Sequence, residues 1–160
     1  MSARAIATLG GVGLLRPAPG TWGSLAALPL AWLVMQGGAI VFSLACLALV
    51  PLGLWAVAAA TKGAVDHDPS EIVIDEVAGQ WIALLPVAWG AAAAGVPVGA
   101  LWPGWIAAFV LFRLFDVLKP GPVGWADRRA DAVGVMLDDL VAGLLAAVGV
   151  LILAGMAHTL

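Results

Sequence analysis

The sequence predicts an all-α integral membrane protein, a helical bundle of four or five spans with a re-entrant or interfacial N-terminal helix. Three observations carry this reading. Hydrophobic residues make up 63% of the chain and charged residues only 11%, where soluble domains carry about 25% charge. The 7 basic and 10 acidic residues all fall in three segments, 4–16, 62–76 and 113–139. Glycine and proline interrupt the uncharged runs between them at positions that divide each run into a pair of helices. By length, residues 1–160 form a single membrane-embedded domain.

Residues 5–15 are too few to cross a bilayer, which takes about 20 apolar residues. Gly10, Gly11 and Gly13 interrupt them, so an interfacial or re-entrant helix is expected, followed by a loop from Pro17 to Thr21. Arg16 and two prolines stand where a leader would be cleaved, and the segment is expected to be retained. The first uncharged run divides at Gly37-Gly38 into spans 21–36 and 39–60. The second divides at Gly95-Val96-Pro97-Val98-Gly99 into 77–94 and 100–112, and the last span is 140–157. Paired spans return the chain to one side, so the three charged segments share a face. Every lysine and arginine lies there, which the positive-inside rule assigns to the cytoplasm. Trp22, Trp125, Trp102 and Trp105 suit interfacial belts, and the alanine-rich runs suit close helix packing. Cys46 is the single cysteine, which excludes a disulfide framework and a Cys-rich zinc site. A net charge of −3 without a basic run points away from nucleic acid.

Within the charged segments, acids stand where apolar runs begin, a costly placement unless something offsets it. Asp68, Glu71 and Asp75 have the spacing of one helical face. A capping box, with Asp68 as N-cap and Glu71 at the third position, accounts for the first two. It does not account for Asp75-Glu76, which lie deeper. A divalent cation would relieve the repulsion, and oxygen-only ligands favour magnesium. Arg113, Asp116 and Lys119 recur every three residues: either a ladder of ion pairs, or a fork and a point charge for a phosphate. Asp138-Asp139 could cap a helix. One acid would suffice for that, and adjacent helical residues point about 100° apart, so one could hold metal while its neighbour pairs with a cation. Thr21 and Ser24, in Gly20-Thr21-Trp22-Gly23-Ser24, form either a simple turn and cap or the wall of a phosphate pocket.

Taken in order, these stretches resemble the phosphatidylglycerophosphatase A family. The matching residues are Gly11-Val12-Gly13-Leu14 through Pro19-Gly20-Thr21-Trp22-Gly23-Ser24-Leu25, Ile72-Val73-Ile74-Asp75-Glu76 with Gly79, and Phe112-Arg113-Leu114-Phe115-Asp116 with Lys119-Pro120. Asp127-Arg128 and Gly134-Val135-Met136 with Asp138-Asp139-Leu140-Val141-Ala142-Gly143 complete the set. One departure is the pair Ala132-Val133, where the family pattern has Gly-Gly. The resemblance implies a phosphoric monoester hydrolase that uses Mg2+ to convert phosphatidylglycerophosphate to phosphatidylglycerol at the cytoplasmic leaflet of the bacterial inner membrane. Its partners would be a phospholipid with a terminal phosphate and the bilayer. On this reading Asp75, Glu76, Asp138 and Asp139 form the metal shell, and Asp116, Asp75 and Asp139 are catalytic. Arg113, Lys119, Arg128, Thr21 and Ser24 bind substrate. Asp66-His67-Asp68 loosely resembles a haloacid-dehalogenase nucleophile motif but lacks the flanking strand and domain. Two rivals stay open at this stage. A small ion-coupled transporter would be expected to carry charge at mid-span or on both faces, and an accessory helical subunit leaves the clustered acids without a role.

Overall fold

The computed structural model describes residues 2–63, 69–129 and 131–159. Among these, the chain forms α1 (Ala3–Ala7), a 3-10 segment (Leu9–Leu14), α2 (Pro19–Met35), α3 (Ala39–Ala60), α4 (Ile74–Ala83), α5 (Leu85–Ala94), α6 (Trp102–Leu118), α7 (Pro122–Asp127) and α8 (Ala132–Thr159). Four stretches are long and apolar enough to cross a membrane: Ala39–Ala60, Ile74–Ala94, Val98–Leu118 and Ala132–Ala157. The protein is therefore an all-α bundle of the multi-span membrane kind. Leu44, Leu47, Ile106, Val110, Leu151 and Ile152 lie exposed on its outside, a distribution that suits lipid as the outer solvent.

The expected turns fall at the glycines. Gly38 takes φ 92° ahead of α3, and Gly95 closes α5 in the left-handed region, with the Val96 N–H returning to the Ala91 carbonyl at 3.1 Å. The span Ile74–Ala94 is not one continuous helix. Pro86, in the first turn of α5, has no N–H to give the ladder, and α4 and α5 meet at Leu84 instead of continuing as one helix.

The charged ends differ from expectation in four places. Residues 5–15 are not one helix, because Gly10 and Gly11 take φ of 65° and 102° and break it. The segment ahead of α4 is not helical either. Glu71 pairs with Arg4 at 2.7 Å, and the Val73 N–H donates to Ala7 O at 2.9 Å. This N-terminal clasp holds 69–73 outside any helix, in a turn where the Ile72 N–H donates to Pro69 O at 2.9 Å, so α4 starts only at Ile74 with no side-chain cap. Glu71 is not part of a helix, so it does not share a helical face with Asp75; Asp68, the expected N-cap, lies with Asp66 and His67 outside the described residues. Next, α2 starts at Pro19, which suits a first-turn position, so Gly20–Ser24 are helical and not a loop. Finally, α8 starts at Ala132, which places Asp138 and Asp139 about two turns inside it, beyond the reach of capping.

Helix α4 is the centre of the bundle, packed against α2, α3, α6 and α8. Its crossing with α8 runs through two glycines. A Cβ on Gly79 would stand 2.5 Å from both the Asp139 carbonyl and the Phe112 ring, and one on Gly143 would overlap the Gly79 carbonyl. Backbone against backbone at this depth is how small residues hold membrane helices together. Gly143→Ala is expected to cost about 1–3 kcal/mol through overpacking, read as a lower thermal midpoint in detergent. Gly155→Ala, with nothing within 4 Å of its Cβ, should be neutral or slightly stabilising. Equal midpoints for the two variants would show that the crossing has room to spare.

Candidate active site

The crossing of α4 and α8 places the start of α4 beside the second turn of α8. Ligand atoms of Asp75, Glu76 and Asp139 lie within 4.8 Å of one another, as do those of Asp116, Asp138 and Asp139. Asp139 belongs to both groups, so five carboxylates form one continuous cluster. Asp75, Asp138 and Asp139 are buried and Glu76 and Asp116 half-buried. Since the cluster draws on the ends of α4, α6 and α8, the second and third charged segments share one face of the bundle, as the pairing of spans predicts.

Two cations answer the acids. Arg113 Nη1 donates to Asp116 Oδ2 at 2.5 Å, one turn along α6, and reaches Ser24 Oγ at 3.5 Å. Both of these bonds leave from Nη1, and a guanidinium has five N–H donors in all. Lys119 ends α6 in the left-handed region at φ 46°, a conformation a non-glycine residue holds only when its surroundings impose it. Its ammonium donates to Asp138 Oδ2 at 2.8 Å and also to Asp127. Burial works against the charge of Lys119, but the hydrogen bonds to Asp127 and Asp138 outweigh it and raise its pKa. The lysine is therefore positively charged throughout the physiological range. Five carboxylates against two cations leave a formal excess of three negative charges.

Helix α2 closes the cluster from the other side. A Cβ on Gly20 would overlap the Glu76 carboxylate and come within 3.3 Å of Arg113 Nη1, so glycine is what lets both approach the first turn of α2. A carboxylate beside a helix N-terminus is favourably placed against the macrodipole. Ser24 is fully buried, its hydroxyl donating to Gly20 O at 2.9 Å, and Thr21 is half-buried in the same turn.

Of the residues singled out in the sequence, Asp75, Glu76, Asp116, Asp138, Asp139, Arg113 and Lys119 come together. Ser24 joins them through Arg113. Arg128 does not: it is exposed at the end of α7 and makes no ion pair among the described residues. The neighbouring Arg129 pairs with Asp131 at 3.0 Å on the surface. Sequence reading missed Asp127 as a partner of Lys119, Gly20 as the opening for Glu76, and Gln80. This last residue is fully buried one turn below Glu76, with neither end of its amide hydrogen-bonded. Its signal was present. It is the only amide, hydroxyl or charged side chain between Glu76 and Arg113.

Fold and site together define a multi-span membrane protein with an oxygen-rich, cation-edged cluster at one end of its bundle. Residues 5–154 match the family described as phosphatidylglycerophosphatase A, and the chain belongs to that family. Phosphatidylglycerophosphatase A of Escherichia coli (strain K12) is 37% identical over 139 residues, covering 86% of this chain and 74% of the relative. Its namesake in Haemophilus influenzae is 36% identical over 140 residues, 86% of this chain and 80% of the relative. A Bacteroides thetaiotaomicron protein named as a candidate phosphatidylinositol-3-phosphatase is 37% identical over 134 residues, 79% of this chain and 77% of its own length. No solved structure matches the chain.

The pairing of Arg113 with Asp116 makes a testable demand. Arg113→Ala should lower stability by about 1.5–3 kcal/mol, since it strands a half-buried acid. Asp116→Asn in the same chain should restore part of that loss, as read by thermal unfolding in detergent. Strictly additive losses would show that the pair is not coupled.

Proposed function

We propose that this member of the phosphatidylglycerophosphatase A family hydrolyses the terminal phosphate monoester of phosphatidylglycerophosphate, giving phosphatidylglycerol and inorganic phosphate. The observation that carries this is the cluster itself: five carboxylates and two cations gathered at one end of a lipid-embedded bundle. The comparisons give the ion-coupled transporter no support. Residues 1–160 work as one membrane-embedded domain in the bacterial inner membrane, with the cluster facing the cytoplasm and the N-terminal segment lying at that interface.

The residues fit magnesium. Their donors are all oxygens, which suits a hard cation, and Glu76 Oε2 is buried without a hydrogen-bond partner. Asp75, Glu76 and Asp139 would hold the ion, with Asp138 completing the shell from the Lys119 side. When bound, magnesium supplies positive charge to the phosphoryl oxygens as a Lewis acid. The remaining work falls to side chains. Arg113 offers its unused N–H donors to the phosphate, and Lys119 a point charge. Arg128 and Thr21 would add substrate contacts at the rim, and Ser24, buried behind them, would act on the phosphate through Arg113. Asp116, steered by Arg113 through Oδ2, would take the proton of the attacking water. The new P–O bond forms to that water, the bond to the headgroup oxygen breaks, and the released alkoxide takes up the proton that Asp116 accepted, which returns the carboxylate to its starting state.

Purified protein in mixed micelles should release phosphate from phosphatidylglycerophosphate, lose activity in chelator and regain it with magnesium. Asp75→Asn and Asp139→Asn should each abolish turnover while the protein remains folded. Full activity in excess chelator would remove the metal from the mechanism. Phosphatidylinositol 3-phosphate belongs in the same assay, and faster release from it would reassign the headgroup. Labelling of single cysteines placed at residues 63 and 128 should occur from the cytoplasmic side for both; labelling from opposite sides would overturn the topology.

A further inference from the structure

Gln80 is the buried polar group that the roles above leave unused. Its side chain is fully buried, and neither Nε2 nor Oε1 has a hydrogen-bond partner. An amide carries two donors and an acceptor of two lone pairs, and a lipid-embedded helix offers no bulk water to satisfy them. The adjacent Trp81 donates its indole N–H to Ala27 O at 3.0 Å. Glu76 stands four residues earlier, on the same face of α4, and helical side chains lean toward the N-terminus, so the amide extends toward the cluster. Glu76 Oε2 is itself buried and unpartnered. A donor and an acceptor one turn apart thus both stay unbonded, which marks the place of a third group between them. The inference holds whichever way the amide is turned, because both of its ends are free.

We propose that Gln80 is a positioning residue for a hydrated divalent cation: its amide binds the cation's water shell from below, while Glu76 and the neighbouring aspartates hold the ion. This rests on the metal reading above. Magnesium gives up its waters reluctantly and usually keeps several, and a bound water is a strong donor to an amide oxygen. The amide nitrogen then serves an oxygen of the site. Residues that orient metal ligands from outside the first layer commonly change metal affinity by about 10- to 100-fold when removed.

The test is metal binding, apart from turnover. Purified wild-type protein, Gln80→Leu, Gln80→Met and Gln80→Glu are titrated in detergent with Mn2+ by electron paramagnetic resonance and with Mg2+ by calorimetry. Thermal midpoints are recorded without metal. The expected result is an affinity about 10- to 100-fold weaker in Gln80→Leu and Gln80→Met. Their metal-free midpoints should be unchanged or higher, since an apolar side chain replaces an unsatisfied amide. Gln80→Glu, which keeps its acceptor oxygens, should bind metal more tightly than either. Wild-type affinity in Gln80→Leu overturns the proposal and leaves the metal reading standing. So does an affinity loss matched by a fall in the metal-free midpoint, which would make Gln80 a packing residue. A wild-type protein that binds neither ion overturns the metal reading, and this proposal with it.

Discussion

The close crossing of α4 and α8 governs this molecule. With Gly79 and Gly143 in backbone contact, the acids at the start of α4 and in the second turn of α8 have nowhere to go but toward one another. In lipid no hydrophobic force drives helices together, so packing of this kind has to do the holding. Any side chain at the crossing would part the helices by its own width. The carboxylate cluster would come apart with them, because Asp139 is the residue common to both of its halves.

Such proximity carries an electrostatic cost that the surrounding helices share out. Helix α6 contributes Arg113 to Asp116 and ends on Lys119, which α7 steadies through Asp127 and α8 engages through Asp138. Helix α2 contributes its N-terminus, approached closely by Glu76 because Gly20 has no side chain. The positive groups thus come from α6 and from the N-terminus of α2, set against the acids of α4 and α8. The compensation stays incomplete, with an excess of negative charge, and this is the character expected of a cation site rather than of a finished salt-bridge network.

Composition and the placement of charge were enough to read the fold class, because only helices can carry such apolar runs through lipid. The glycine turns were readable for a local reason too, since Gly38 and Gly95 sit where the backbone takes a positive φ. Helix starts were not. Whether 69–73 is helical depends on Arg4 and Ala7, contacts that no local spacing reveals. Most of the site could be read, since acids and cations at span ends are conspicuous. Which cation would face which acid could not, because Lys119 reaches Asp138 only through the turn that Pro120 and Gly121 impose. Gln80 escaped notice because a lone amide in an apolar run looks like a tolerated exception until its surroundings show that nothing satisfies it.

The length of α8 has a bearing on where the chemistry takes place. The helix has 28 residues, about 42 Å at 1.5 Å each, against a hydrocarbon slab of about 30 Å. On the function proposed above, that surplus belongs at the charged end, with the two turns before Leu140 beyond the acyl region. The helix would then act as a depth gauge, setting Asp138 and Asp139 at the level where lipid phosphates reside. A phospholipid would present its headgroup by sideways diffusion alone, with its tails still anchored among their neighbours. Bilayer thickness becomes a variable of the reaction, since a thicker or thinner membrane shifts the plane of phosphates relative to the acids.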